Sequence, residues 1–350
     1  MLAARVPGSG LLTTSAGRRC HPSGHRAACF SGGVQDTAAG DATCAALSES
    51  LGEPLPGTAA VAGGWLCLEQ RGPWGHNALL QSHLDPAVGR ALDAAAGPAG
   101  VRVQLIRRPG RHADEPPDGP RRAYLAHTGP TGSWLRAADL SDPSELLGLN
   151  FAAIAAGRHG GWGREVAEPL LLVCTNGRRD RCCAVLGREL VAGLQGRHGD
   201  AVWETTHTGG HRFAPAAVLL PSGYTYGRLG PHQADAALAA AGSGKVTLEH
   251  CRGRSTWTRA GQVAELAVRD QIGEHLIDAL RVEPADGDQV RVTHQDGRTW
   301  TVTVHERELD PPRPNSCGKA AVRPTTLVAV DVSDAPAGVS GSPAPDPPPN

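Results

Sequence analysis

Cys174 and Cys183 are separated by eight residues in CTNGRRDRCC, and His207 and His211 by three in HTGGH. Two thiols followed by two imidazoles make a metal-ligand set. Soft thiolate and borderline imidazole donors suit zinc or the iron of an iron–sulfur cluster, and not magnesium or calcium. A tetrahedral zinc site accepts two cysteines and two histidines, yet zinc fingers bring their cysteines only about two to four residues apart. An eight-residue spacer suits a loop wrapped around something larger than one ion. A [2Fe–2S] cluster takes four ligands, and a cysteine pair on one iron with a histidine pair on the other is the Rieske donor set. Rieske sequences interleave Cys and His within each loop, whereas here both cysteines come first. A cluster at this site is therefore bis-histidinyl without being Rieske-type in sequence.

The elements around these residues have to present them. Leu170–Val173 reads as a buried strand, which delivers Cys174 to the carboxyl edge of a sheet, where open α/β folds keep their sites. In the loop that follows, Gly177 is read as supplying an unusual backbone angle, and the exposed amides can hydrogen-bond sulfur and tune a cluster's potential. Arg178, Arg179 and Arg181 are expected to lower thiolate pKa values and offset cluster charge. Gly209 and Gly210 let the chain bend so that both histidines meet one metal.

Composition narrows the class. The chain has 350 residues, is 40% hydrophobic and carries a net charge of −1, so bulk charge gives no case for nucleic acid. Nine cysteines in so long a chain, odd in number and unevenly spaced, do not resemble a secreted disulfide framework. No apolar run is long enough for a membrane span, the N-terminus lacks the apolar core of a secretory signal, and a cytoplasmic location is expected.

Residues 1–41 show no periodicity and are expected to be a disordered N-terminal extension; a Cys20, His21, His25 and Cys29 cluster there is read as an accident of composition rather than a zinc site. An N-terminal α/β domain is placed at 42–160, with strands at Trp65–Glu69, Val101–Ile106 and Arg122–His127, a helix at Pro86–Ala95 capped by Asp85, and another helix opening at Asp142. A cluster-binding domain is placed at 161–245. Its helix carries Leu186, Leu190, Val191 and Leu194 on one face; strands follow at Ala201–Glu204, Ala217–Leu220 and Tyr224–Tyr226, then a helix over 232–241. This β-α-β then β-β-α order is the thioredoxin-type core, and it allows the N-terminal half to be a degenerate copy without the ligand set. A small α+β domain spans 246–333, with a helix near 259–272, a hairpin turning at Asp296-Gly297 and a last strand at Thr326–Val332. The Pro-rich tail 334–350 is expected to be disordered. Cys44, Cys67 and Cys251 are read as small buried hydrophobes. His83, His127, His232 and His294 are read as surface or hydrogen-bonded core residues, and Tyr226, Arg228 and CRGRSTW as packing around the site.

Together, VCTNGRRDRCCAVLGREL, ETTHTGGHRFAPAAVLLP, YTYGRL and CRGRSTW resemble the sucrase/ferredoxin-like family, whose members include thioredoxin-like [2Fe–2S] ferredoxins. The resemblance runs from about Cys44 to Val332. It implies cluster ligation by Cys174, Cys183, His207 and His211, with Cys182 as an alternative to its neighbour. The chain departs from the eukaryotic pattern at Asn176, where histidine is common, and at Cys182, where arginine is common. NSCGKA, residues 315–320, resembles the family's C-terminal motif.

An electron-transfer protein working with a redox partner protein is the expected function. Exchanging two thiolates for neutral imidazoles raises the potential of a [2Fe–2S] centre by ~250 mV or more, judging from Rieske against plant-type centres, so a carrier of intermediate to high potential is expected. A thiol-based redox enzyme and a structural zinc protein are the alternatives. The first lacks a C-x-x-C pair. A glycosidase would need paired carboxylates, and none stands at this site.

Overall fold

A computed structural model describes residues 43–110, 119–130 and 132–335. The expectations for 1–41, including the Cys20–Cys29 cluster, and for nearly all of the tail lie outside the described residues.

Largely buried strands build the N-terminal half. Strands β1 (Gly64–Glu69), β2 (Val101–Arg107), β3 (Arg121–His127) and β4 (Trp134–Leu140) follow the short helix α1 (Cys44–Ser50). Helix α2 (Pro86–Ala96) joins β1 to its parallel partner β2, and its first turn is capped by the Asp85 carboxylate, which accepts from the Ala87 amide. Beyond β4, a 3₁₀ turn (Pro143–Gly148) stands where an α-helix is expected, although Asp142 and Glu145 form a complete capping box. Pro143 and the short run before Asn150, which caps α3 (Phe151–Ala155), leave no room for a longer helix. Strand β4 has no counterpart in the sequence reading, because Arg136 and Asp139 in WLRAADL fall on opposite faces and break its apolar alternation. A two-residue strand, β5 (Arg164–Glu165), completes this edge.

The second half repeats the order. Strand β6 (Leu170–Cys174) leads into helix α4 (Arg181–Leu194), then to β7 (Val202–Thr205), β8 (Ala217–Leu220), β9 (Tyr224–Tyr226) and helix α5 (Pro231–Gly242). In both halves the first strand pairs parallel with the second and antiparallel with the third, and the third pairs with the fourth. The two second strands, β2 and β7, meet antiparallel through Ile106–Thr205 and Arg107–Glu204. With β10 (Cys251–Arg254) added beside β9, the result is one ten-stranded mixed sheet.

Period-2 alternation sorts its side chains into layers. Leu66, Leu68, Leu105 and Leu125 pack beneath α2 and α3, whereas Leu171, Val173, Leu219 and Tyr224 pack beneath α4 and α5. Trp65, Cys67, Ile106, Leu172, Trp203 and Val218, on the opposite faces, share a single core contributed by both halves.

Helix α6 (Arg259–Ile272) then packs Val263, Ala264 and Val268 against a four-stranded antiparallel sheet of β11 (Leu280–Pro284), β12 (Gln289–His294), β13 (Thr299–Glu308) and β16 (Thr325–Asp334). The β12–β13 hairpin turns at Gly297, whose positive φ suits the Asp-Gly signal. Between β13 and β16, the two-residue strands β14 (Arg313–Pro314) and β15 (Ala321–Val322) enclose a loop that carries Cys317. Among the described residues no helix is long and apolar enough to cross a membrane.

Candidate metal centre

The site forms where the parallel pair β6 and β7 ends. Cys174 is the last residue of β6 and lies in register with Thr205, the last of β7, so His207 emerges beside it. Helix α4 starts in the same place. Asp180 is its N-cap, accepting from the Cys182 amide at 2.8 Å, and the first turn holds both Cys182 and Cys183.

Adjacent helical residues point about 100° apart, so these two thiols cannot serve one centre equally. Cys183 faces Cys174 and His207, and the ligand atoms of these three lie within 4.8 Å of one another. Cys174 Sγ is 4.0 Å from His207 Nδ1. Cys182 instead faces Cys44 and Cys317 and takes no part in the first group. Of the two adjacent cysteines, the helix therefore places Cys183 beside Cys174 and His207 and turns Cys182 away from them. Cys44 joins this second group and is not simply an apolar filler, whereas Cys67 and Cys251 lie within apolar cores as expected.

His211 sits beside His207, ring centroids 5.0 Å apart. Gly209 and Gly210 both have positive φ, and that bend opens the 3₁₀ turn His211–Phe213. The Nδ1 of His211 is buried and has no hydrogen-bond partner, while its Nε2 lies 3.8 Å from Asp180. Burial lowers the His211 pKa, which leaves the ring neutral and able to offer a lone pair. A buried ring nitrogen without a partner costs free energy that ligation would offset. Two cysteines and one imidazole converge, with a second imidazole beside the first, and these residue types are the donors of a bis-cysteinyl, bis-histidinyl [2Fe–2S] cluster.

Electrostatics favour thiolate here. A hydrogen bond from Cys183, supported by His207 and the Asn176 amide, pulls the Cys174 thiol well below its ordinary pKa despite burial, and the Cys183 thiol is raised in turn. The arginines of the loop do not supply the neighbouring charge: Arg178, Arg179 and Arg181 are exposed, and Arg179 reaches the His76 ring instead. The cation that interacts with both thiols is Arg252, wholly buried and pushed down to about 9 by desolvation ahead of all other influences. Its guanidinium donates to the carbonyls of Gly209 and Thr58 and stacks over Phe213. CRGRSTW therefore packs around the site, and within it Arg252 is the residue whose proximity the sequence does not reveal.

Two further details correct the sequence reading. Gly177 has no positive φ; its hydrogen is required because a Cβ would come within 2.7 Å of Ala184. Asn176 stitches the loop together, donating to the Gly75 carbonyl and accepting from the Arg179 amide. Asp180 and Gly187 were also unmarked. Burial raises the Asp180 carboxyl, but donors from Ser316, Cys317 and Cys182 outweigh it and bring it to about 2. Gly187 lies where a Cβ would strike the carbonyl oxygen of Cys174, so α4 approaches β6 closely enough for Cys183 to reach Cys174. Gly187→Ala is expected to cost about 1–3 kcal/mol, the usual range for overpacking; an unchanged urea midpoint would show that the helix yields freely.

The sucrase/ferredoxin-like family model matches residues 55–253, more than half of the chain, a span that includes Cys174, Cys183, His207 and His211. The chain belongs to the sucrase/ferredoxin-like family. No curated protein and no solved structure gives a match. Cys44 and Cys317 lie outside the family-matched residues.

Proposed function

We propose that the chain is an electron-transfer protein holding a [2Fe–2S] cluster through Cys174, Cys183, His207 and His211. The observation that carries this reading is the convergence of Cys174, Cys183 and His207 next to a buried, partnerless His211 Nδ1. Such a cluster, when bound, accepts and donates one electron at a time.

Each residue contributes in a way its position supports. Cys174 and Cys183 are buried and supply the inner thiolates, while the partly exposed rings of His207 and His211 form the outward side through which electrons would pass. Arg252 balances the negative charge of the thiolates from inside, and Asp180 holds the start of α4. Exposed Arg178, Arg179 and Arg181 border the site and suit an acidic face on a redox partner protein, where complementary charge speeds encounter. All seven cysteines among the described residues are free thiols, which fits a reducing cytoplasm. The shared strand order of the two halves supports reading the β6–β9 half as a thioredoxin-like core and the β1–β4 half as a duplicate that has lost the ligands: β1 ends in Glu69 where β6 ends in Cys174.

Visible and EPR spectra of protein purified anaerobically test the assignment. A brown protein with about two irons at this site, giving an EPR signal on reduction, is expected, and His207→Ala/His211→Ala should abolish the colour. A colourless protein, or colour that survives in the double variant, would overturn the ligand assignment.

A further inference from the structure

The group that Cys182 joins is a second donor set. Cys44 Sγ lies 3.6 Å from Cys182 Sγ, Cys182 lies 3.3 Å from Cys317, and Cys317 lies 3.6 Å from Cys44. The three sulfurs form a nearly equilateral triangle, and both Asp180 oxygens sit 3.8 Å from Cys44. One ligand atom from each of the four residues lies within 4.8 Å of every other.

The triangle has the dimensions of a metal site. With zinc–sulfur bonds of ~2.3 Å, the sulfurs on neighbouring corners of a tetrahedron stand ~3.8 Å apart, a little wider than these. A disulfide uses two sulfurs and leaves a third beside them without a partner; three sulfurs and a carboxylate fill four corners. The geometry points to a closed structural zinc site formed by Cys44, Cys182, Cys317 and Asp180.

The surroundings are built for thiolate and carboxylate ligands. The Cys182 sulfur is flanked by Thr43 and Ala45, and that of Cys317 by the Cys44 backbone. Asp180 is oriented by the Cys182 amide at 2.8 Å, the Ser316 hydroxyl at 2.7 Å and the Cys317 amide at 2.9 Å. A carboxylate accepts at about four positions, so three donors leave one lone pair for a cation. Partners of this kind orient ligands in metal sites. Three sulfurs with one oxygen suit zinc and exclude calcium and magnesium; four protein ligands leave no open corner, the mark of a structural site. Binding displaces the thiol protons to solvent, with no change of oxidation state.

The location gives the metal its task. Cys44 opens α1, Cys182 lies in the first turn of α4, and Cys317 sits in the loop between β14 and β15, 135 residues further along the chain. One ion would tie these three segments together at the turn that aims Cys183 toward Cys174. The inference uses none of Cys174, Cys183, His207 or His211 as a ligand, although Asp180, 3.8 Å from His211 Nε2, borders both groups.

Metal content of the full-length chain, expressed with zinc and iron supplied and analysed by mass spectrometry, tests it. One zinc per chain is expected; it should be lost from Cys44→Ser and Cys317→Ser but kept in Cys174→Ser. Should the serine variants prove insoluble, cobalt titration of chelator-stripped Cys174→Ser/Cys183→Ser protein replaces them and should give thiolate charge-transfer and tetrahedral d–d bands at one equivalent. Wild-type protein without stoichiometric zinc, zinc lost from Cys174→Ser but kept in Cys317→Ser, or a titration without these bands would each overturn the site.

Discussion

The double variant His207→Cys/His211→Cys is expected to remain brown while its midpoint potential falls by ~250 mV or more, the gap between imidazole-ligated and all-thiolate centres. At ~59 mV per tenfold change for one electron, that is roughly four decades in the reduction equilibrium. Charge is the cause: two neutral rings give way to two thiolates, adding about two negative charges next to the metal. The site can accept the change because His207 already presents Nδ1, the ring nitrogen nearer the backbone, toward Cys174, and His211 leaves its own Nδ1 without a partner. A cysteine Sγ reaches nearly as far as an Nδ1, so the backbone bend at Gly209 and Gly210 needs little adjustment. Arg252, close to Cys174 and Cys183, moderates the added charge without cancelling it. Potentiometric titration of both proteins reads the result. Equal potentials would mean that the histidines do not ligate, and the assignment of the site would fall with them.

The candidate site illustrates what a sequence reveals and what it conceals. Cys174 was legible because the apolar run Leu170–Val173 makes it a strand end, and His207 because HTGGH spaces two imidazoles around a Gly-Gly bend. The choice between Cys182 and Cys183 rested on the helix phase, and its signal was present: Asp180 is an N-cap residue immediately before the helix, which fixes the two thiols about 100° apart. Cys44 and Cys317 carry no such signal. They meet Cys182 across 138 and 135 residues, through packing of α1 and the β14–β15 loop that no local periodicity encodes. Arg252 was hidden for the same reason, since β10 joins the sheet at an edge far from Cys174 in sequence. Local pattern located the elements; the contacts that decide chemistry at their ends are long-range.

The largest loss of stability is expected from Arg269→Met. Arg269 and Glu265 lie one turn apart on α6, both side chains wholly buried, with Nε and Nη2 donating to Glu265 Oε1 at 3.2 and 3.1 Å. The Tyr224 hydroxyl donates to the same oxygen at 2.6 Å, and Arg269 also donates to the carbonyls of Glu274, Leu276 and Ile277. Methionine fills much of the volume but supplies no charge, leaving the Glu265 carboxylate and three carbonyls behind in a dry core. Removing one partner of a buried pair costs about 3–5 kcal/mol; for a unit of this size that lowers the melting temperature by on the order of 10 °C. Glu265→Leu/Arg269→Met should recover part of the loss, because the unpaired carboxylate is gone, but not all of it, because the three carbonyls still lack their donor. Glu265→Gln should be milder than Arg269→Met, since the amide oxygen keeps an acceptor for Tyr224 and Arg269. If Arg269→Met and the double variant melt at the same temperature, the carboxylate is not the source of the penalty, and the lost carbonyl hydrogen bonds between α6 and the segment 274–277 account for it instead.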